Sequence, residues 1–309
     1  MIDATGRPRV TLVTPTYNQA QYLAETLDCV LAQDLTALEY IVIDDGSTDA
    51  TPDVLARYAD RVRSIRQVNA GQARTLNRGW EMANGDYLAY LSSDDLLHPT
   101  AMRRMVEVLD AHPDVVCVFP DADLIDDHSA VVKRSVCRAF DLAELVVRQE
   151  CYIGPGALFR RSAFEQAGGW RPELRLAPDR EFWMRLAQIG RFEFIRESLA
   201  MYRLHPASIS YKVISEEQSS EYLAVLDGYF ARPDVPAAIA ARKQEAYGYA
   251  RLLIARNAFR AGRWRRGLEL YRSACELHPP LRAIGVKVTM LRNIVSKPLR
   301  ALIGRLRGR

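Results

Sequence analysis

Two acidic sites carry the residue types and spacing for chemistry. Asp94 and Asp95 follow Ser92-Ser93 at the end of an apolar run, DYLAYL. Adjacent carboxylates there can hold a hard divalent cation. Mg²⁺ and Mn²⁺ prefer carboxylate oxygens and complete their shells with substrate phosphate and water. The same pair also suits a helix cap ahead of His98-Pro99. Asp44 and Asp45 open the segment Asp44-Asp45-Gly46-Ser47-Thr48-Asp49. A carboxylate in it can accept a hydrogen bond from a nucleobase imide N–H or from ribose hydroxyls. A turn running into a helix cap would use the same composition. Asp179, in Ala177-Pro178-Asp179-Arg180-Glu181, suits a cap for the helix it opens.

These residues need a scaffold, and the first half of the chain describes one. Short β-branched runs at 10–14 (VTLVT), 39–44 (EYIVID), 86–91 (DYLAYL) and 115–119 (VVCVF) read as strands. Helical stretches at 20–33, 51–59, 71–84 and 100–111 lie between them, and Thr51-Pro52 reads as a cap followed by proline in the first turn. Strands alternating with helices of this length imply βαβ units and a mostly parallel sheet. Ligands of such sheets bind beyond the carboxyl ends of the strands. Pro15-Thr16-Tyr17-Asn18, the Asp44–Asp49 segment and Ser92-Ser93-Asp94-Asp95 all fall there.

The remainder differs in character. From about Ser215 the chain turns to helical patterns rich in Ala, Leu, Tyr and Arg, broken at His278-Pro279-Pro280. Residues 1–212 carry 24 basic and 30 acidic side chains; residues 213–309 carry 18 and 8. Residues 281–309 contain eight basic residues and no acidic one. Ile284, Val288, Leu291, Ile294, Val295, Leu299, Leu302, Ile303 and Leu306 are spaced to share one helix face there, with a break near Pro298. A basic amphipathic segment of this kind is a candidate contact with an anionic membrane surface. The expected organisation is therefore a domain over 1–212, a helical region over 213–280 and a basic tail over 281–309.

The 309 residues, 49% hydrophobic and 26% charged, suit a globular protein with a sizeable core. Five scattered cysteines without a C-x-x-C pair argue against a disulfide framework or zinc site and for a reducing, cytoplasmic setting. No secretory leader pattern and no apolar run of membrane-spanning length occur.

The segments VTLVTPTYNQAQYLAETLDCVLAQ, YIVIDDGSTDAT, NAGQARTLNRGWEMANGDYLAYLSSDD and GGWRPELRLAPDREFWMRLA, in this order, resemble glycosyltransferase family 2 over roughly residues 8–212. That resemblance implies an α/β, GT-A type, Rossmann-like fold: a mostly parallel sheet flanked by helices, here with a helical C-terminal region. It also implies inverting transfer from a nucleotide-sugar, most often a UDP-sugar, assisted by Mn²⁺ or Mg²⁺. By position, Tyr17 matches the residue that packs on the base, and Pro15 and Thr16 would line the same pocket through the backbone. Asp45 matches the residue that hydrogen-bonds the base. Asp94 matches the contact to the ribose or metal region, and Asp95 the metal-binding end of the D-x-D motif. Arg74 would stand near the donor, in a region where Arg74 and Asn77 depart from the commonest spacing. Asp179 matches the general base, with Glu181 the alternative if the register slips. His205, in Tyr202-Arg203-Leu204-His205, would reach the metal or the diphosphate, ahead of a loop bearing Ser208 and Ser210.

Where the family often carries Asp two residues before Asp94, this chain has Ser92. That leaves one fewer carboxylate for a metal, and it keeps open a non-catalytic nucleotide-sugar-binding or scaffolding protein with the same fold. Trp170 and Trp183 are candidates to stack on a sugar face, with core packing the better reading of Trp183. The implied acceptor is a glycan or lipid-linked glycan in surface polysaccharide assembly, met at the inner face of the membrane. No nucleotide-binding G-x-G-x-x-G, P-loop or nucleic-acid module appears, so dehydrogenases and nucleic-acid binders fit poorly.

Overall fold

Val10–Thr16 (β1) is buried at every residue, as a central parallel strand covered on both faces must be. It belongs to a computed structural model that describes residues 7–205, 208, 213–292 and 294. The chain divides into two compact units, one drawn from residues 1–140 and 152–204, the other from 141–151 and 205–309. The segment 141–151 thus groups with the C-terminal helices, although it lies within the stretch expected to form the first domain.

In the first unit β1 is followed by α1 (Ala20–Leu31), β2 (Leu38–Asp44), α2 (Thr51–Ala56), β3 (Arg63–Arg66) and α3 (Gln72–Glu81). Then come β4 (Tyr87–Tyr90), β5 (Leu96–Leu97), α4 (Ala101–Ala111), β6 (Val115–Ile125) and β7 (Val131–Lys133). The strands order as β3-β2-β1-β4 and then continue through β8 (Leu158–Arg160), β6, β9 (Arg191–Arg203) and β5, with β7 paired to β6. Pairing is parallel through β3-β2-β1-β4 and again between β6 and β9; β8 joins the halves antiparallel to both neighbours. The chain runs from β1 outward through β2 and β3, then returns to place β4 on the other side of β1. That reversal creates a crevice at the carboxyl ends of β1 and β4, where ligands of open α/β sheets bind. This is the expected α/β architecture of a mostly parallel sheet flanked by helices.

Helix faces explain how the layers close. In α1, Tyr22, Leu23, Thr26, Leu27 and Val30 are buried, a stripe at helical spacing. In α3, Gly79 sits where a Cβ would stand 2.4 Å from Val13 Cγ1, so the missing side chain lets the helix lie against β1. Trp80, one residue on, is buried at the centre of an aromatic cluster with Phe159, Phe164, Trp170 and Phe182.

Two strands exceed what the apolar runs indicate. β6 continues past Phe119 through Pro120-Asp121-Ala122-Asp123 to Ile125, with register shifts beside the proline, which cannot donate to a ladder. β9 is thirteen residues long despite the charged side chains of Arg191, Glu193, Arg196, Glu197 and Arg203. Its parallel pairing with β6 supplies the order that its own sequence pattern does not advertise.

The remaining first-unit helices are α6 (Arg161–Ala167) and α7 (Pro178–Leu186). The second unit holds α5 (Leu142–Val147), α8 (Glu216–Phe230), α9 (Ala237–Ala240), α10 (Lys243–Arg260) and α11 (Trp264–Leu277). Ser215 and Gln218 form a reciprocal capping box at the start of α8. α10 and α11 pack as a hairpin; Gly267 meets the Phe259 ring so closely that a Cβ would stand 2.6 Å from it. A final helix, α12, occupies 284–292, and Ile294 beyond it is also helical. Ser210 lies outside the described residues, and so does the part of the basic tail from Val295 to Arg309, with Pro298, Leu299, Leu302, Ile303 and Leu306.

Candidate active site

The first two polar loops are stitched together by short side chains. Asn18 takes a left-handed backbone, φ 53°, and its Oδ1 accepts the N–H groups of Thr48 (2.7 Å) and Asp49 (3.3 Å). In return the Asn18 N–H donates to Ser47 Oγ at 2.9 Å, and the Gln19 N–H to Thr51 Oγ1 at 3.1 Å. Asparagine tolerates that conformation better than most residues. Tyr17, just before it, is 47% exposed, so its ring is available to a ligand. Thr16 is buried, its carbonyl accepts the Asp45 N–H at 2.9 Å, and its Oγ1 has no hydrogen-bond partner among the described residues. Pro15 is buried beside it in β1.

The two aspartates of the second loop divide their work. Asp44 Oδ1 accepts the Ser47 N–H at 2.8 Å and Arg66 stands 3.4 Å from Oδ2. Asp45 is buried and faces its own chain: Oδ1 accepts Gln67 Nε2 (2.7 Å) and the Ala70 N–H (2.8 Å), and Oδ2 the Gly71 N–H (2.9 Å). It thereby holds the entry to α3. A carboxylate has about four acceptor positions, so these three donors leave Asp45 little capacity for a ligand. Gly46, within the second loop, has φ 79°, and a Cβ there would stand 3.0 Å from the Asn69 backbone nitrogen.

At the end of β4 the chain turns with the Asp95 N–H donating to the Ser92 carbonyl at 3.1 Å. Asp95 is buried, and Oδ1 accepts the Arg203 backbone N–H at 2.9 Å. Oδ2 accepts no hydrogen bond among the described residues. Burial first, and then the neighbouring Asp94 carboxylate, push the Asp95 carboxyl well above the ordinary carboxylate range; the Arg203 N–H and charge act against this. Arg203 is itself 1% exposed and spreads its guanidinium over this corner. It donates to the Asp94 carbonyl (2.8 Å), the Asp126 carbonyl (3.1 Å), Ser129 Oγ (2.9 Å) and Glu25 Oε2 (2.6 Å), and it lies over the Tyr22 ring. Among the described residues no group of three His, Cys, Asp or Glu side chains could hold a metal ion.

Asp179 lies in the first turn of α7 and is half-buried. Burial raises its carboxyl from the ordinary value, opposed by the Arg180 charge and backbone N–H groups. Glu181 is engaged elsewhere: both its oxygens accept from Arg185, at 2.7 Å each, while the same guanidinium donates to the carbonyls of Gly168 (3.0 Å) and Gly169 (2.8 Å). Of the two acids, Asp179 is therefore the one that no ion pair among the described residues holds in place. Asn77 clasps the Trp170 backbone, accepting its N–H at 2.8 Å and donating to its carbonyl at 2.7 Å. It ties α3 to the segment that leads to Asp179. Arg74 is on the exposed side of α3, and its charge helps to keep the Glu173 carboxyl low after Glu173's own N–H and Arg171.

Trp170 and Trp183 are 3% and 1% exposed, which removes both as sugar-stacking faces. Trp170 instead stands edge-to-face with Trp80 and Tyr90. His205 belongs to the second unit and is buried; its carbonyl accepts the Ser208 N–H at 3.0 Å.

Sequence reading passes over Glu25 and Arg203 as a pair, and over Asp121 and Asp123. The latter two are buried on one face of β6 and hold the 134–137 segment through Ser135 and the Cys137 N–H. Alternating acids inside an apolar strand are the available signal, because buried aspartates need partners. For Glu25 and Arg203, 178 positions apart, only the fold brings them together.

Comparison with known proteins agrees with this fold. Glycosyl transferase family 2 matches residues 11–168. An uncharacterized glycosyltransferase of Nostoc sp. is 28% identical over 77% of this chain and 83% of its own length. S. aureus TarS in complex with UDP-GlcNAc superposes with a TM-score of 0.68 at 18% identity, over 86% of this chain and 79% of that one. The mannosyltransferase PcManGT of Pyrobaculum calidifontis, in complex with GDP-Man and Mn²⁺, gives 0.57 at 21% identity, over 98% and 89%. These structures share the GT-A fold, and with half of the chain matched the protein belongs to glycosyl transferase family 2.

Proposed function

We propose that this glycosyltransferase moves a sugar from a UDP-sugar to a hydroxyl of a glycan or lipid-linked glycan, with inversion and with help from Mn²⁺ or Mg²⁺. The observation that carries the reading is Asp95: a buried carboxylate at the β1–β4 crevice, with one oxygen anchored by Arg203 and the other taking no hydrogen bond among the described residues.

A divalent ion fits that arrangement. Asp94 and Asp95 are hard oxygen donors, and their mutual repulsion in a buried setting is what a bound dication relieves. Asp95, with Asp94, would hold the ion, the nucleotide's own oxygens filling positions that protein side chains do not. Bound there, it would neutralise charge on the departing diphosphate.

The chain's own residues do the rest. Tyr17 offers its exposed ring to the base, and Pro15 and Thr16 line the same pocket. Asp45 acts chiefly by fixing the 67–71 loop around that pocket, a different role from direct base contact. Arg74 supplies positive charge on the donor side. Asp179 takes the acceptor proton as the hydroxyl attacks the anomeric carbon from the face opposite the leaving group, so a single displacement inverts its configuration. A carboxyl raised by burial is the more effective proton acceptor.

Calorimetric titration with UDP, GDP and TDP, each with and without Mn²⁺, tests the reading. UDP binding that needs Mn²⁺ and disappears in Asp95→Ala is expected. Preference for another nucleotide would overturn the donor assignment, and metal-independent binding would remove Asp95 from a metal role.

A further inference from the structure

α12 carries apolar residues on two separate faces. Val286 packs with Ala274, Cys275 and Leu281, and Met290 and Ile294 pack with Ala255 and Phe259, so this face joins the core of the second unit. Ile284, Val288 and Leu291 are instead 78%, 59% and 63% exposed. The tail's apolar residues therefore do not share one face, as their spacing alone implies: Ile294 is taken up by packing.

At about 100° per residue, Ile284, Val288 and Leu291 form one narrow stripe, with Lys287 along one edge and Arg292 along the other. Both cations are exposed, as is Arg282 just ahead of the helix. An apolar stripe bordered by cations is the pattern of a helix lying in a membrane interface. The apolar side chains enter the acyl boundary and the cations reach the headgroups. No helix among the described residues is long and apolar enough to cross a membrane.

We propose that the Ile284–Val288–Leu291 stripe docks on an anionic lipid surface. Charge selects this occupant. Residues 281–309 hold eight basic residues and no acidic one, which matches a diffuse negative plane. A second copy meeting the stripe face to face would set Lys287 and Arg292 against like charges. The inference extends beyond the transfer reaction and does not rest on the donor or metal assignment.

Sedimentation of the full chain with vesicles tests it. Two vesicle types are used: phosphatidylcholine alone, and phosphatidylcholine with about a third phosphatidylglycerol. The protein is expected to sediment with the anionic vesicles and to stay in solution with the neutral ones. Two variants accompany it, Ile284→Ser/Val288→Ser/Leu291→Ser and Lys287→Glu/Arg292→Glu. All five side chains are exposed, so both variants keep the fold, checked by circular dichroism. Each is expected to bind anionic vesicles about tenfold more weakly or worse, with nucleotide affinity unchanged. Absence of wild-type sedimentation overturns the proposal, and so does a folded serine variant that sediments like wild type. Light scattering that shows a dimer lost in the serine variant also overturns it, assigning the stripe to a second copy.

Discussion

The backbone N–H of Arg203 donates to Asp95 Oδ1 at 2.9 Å, while the same residue's Nε donates to the Asp94 carbonyl at 2.8 Å. The last residue of β9 thus orients both members of the acidic pair that ends the β4 loop. Its guanidinium is held in turn by Glu25 of α1, whose side chain is 46% exposed. Arg203→Met would strand the Asp94 and Asp126 carbonyls while keeping the backbone N–H bond to Asp95. A loss of about 2 kcal/mol is expected in chemical denaturation, kept low because Glu25 can turn to water. Glu25→Gln is expected to cost under about 1 kcal/mol. If the guanidinium positions the acidic pair through the Asp94 carbonyl, Arg203→Met also weakens metal-dependent nucleotide binding in calorimetry, while its metal-independent part stays unchanged.

Asp95 opposes folding when charged and without a cation. Its folded-state pKa is raised, so its contribution to stability is full below the unfolded carboxylate value and is lost as pH rises through the folded one. At neutral pH the metal-free Asp95→Asn variant is therefore expected to melt higher than wild type, and the gap should close in acid. The same variant should lose Mn²⁺-dependent nucleotide binding. Scanning calorimetry with and without Mn²⁺ reads both effects; a lower melting temperature at neutral pH would show that the charge is already compensated.

As the proposed base, Asp179 would act only when ionised, and burial raises its pKa. Turnover is accordingly expected to fall as pH drops through a value raised from that of a free aspartate, with a slope of one proton. Asp179→Asn should lower turnover by about a hundredfold to ten-thousandfold and leave UDP affinity near wild type. A variant that keeps most of its turnover and the same acid limb would exclude Asp179 as the base.

Glu181→Gln separates structure from chemistry in the same helix. It breaks the two-pronged pair with Arg185, whose side chain is 20% exposed. A stability loss of about 1–2 kcal/mol is expected, with the pH profile of turnover unmoved. Displacement of the acid limb in Glu181→Gln would transfer the base role to it.

Asp45→Asn places an amide among the donors Gln67, Ala70 and Gly71. Only one of its two polar atoms accepts, so at least one of those N–H groups loses its partner. Both stability and nucleotide affinity should fall, with affinity down about tenfold as the 67–71 loop loosens. Hydrogen exchange over 67–75 would report the loosening; unchanged protection together with lost affinity would favour direct base contact by Asp45.

Much of this site is legible before folding. Val10–Thr16, Leu38–Asp44 and Tyr87–Tyr90 announce themselves by β-branched and apolar runs, and parallel strands place their polar ends together by topology alone. The acids Asp45, Asp94, Asp95 and Asp179 stand out by their place in the ordered segments, although turns and helix caps use the same residue type. β9 does not stand out: its five charged side chains, Arg191, Glu193, Arg196, Glu197 and Arg203, mask a strand whose order comes from pairing with β6. The segment 141–151 gives no sign that it joins the second unit, because that grouping depends on contacts made by α5 with α9 and α10.

Local sequence suffices for the order of the early strands and helices, the sheet edge where their polar loops gather and the residue types available there. Those follow from local periodicity and from chain direction, which are properties of neighbours along the chain. Folding alone separates, among the described residues, the acids held by partners from those that are not: Glu181 from Asp179, and the three-donor embrace of Asp45 from Asp95 Oδ2. It also decided that Ile294 packs while Ile284, Val288 and Leu291 face outward. Such choices depend on partners far apart in sequence, as Arg203 is from Glu25, and a hydrogen bond or a buried face exists only once folding has brought both sides into contact.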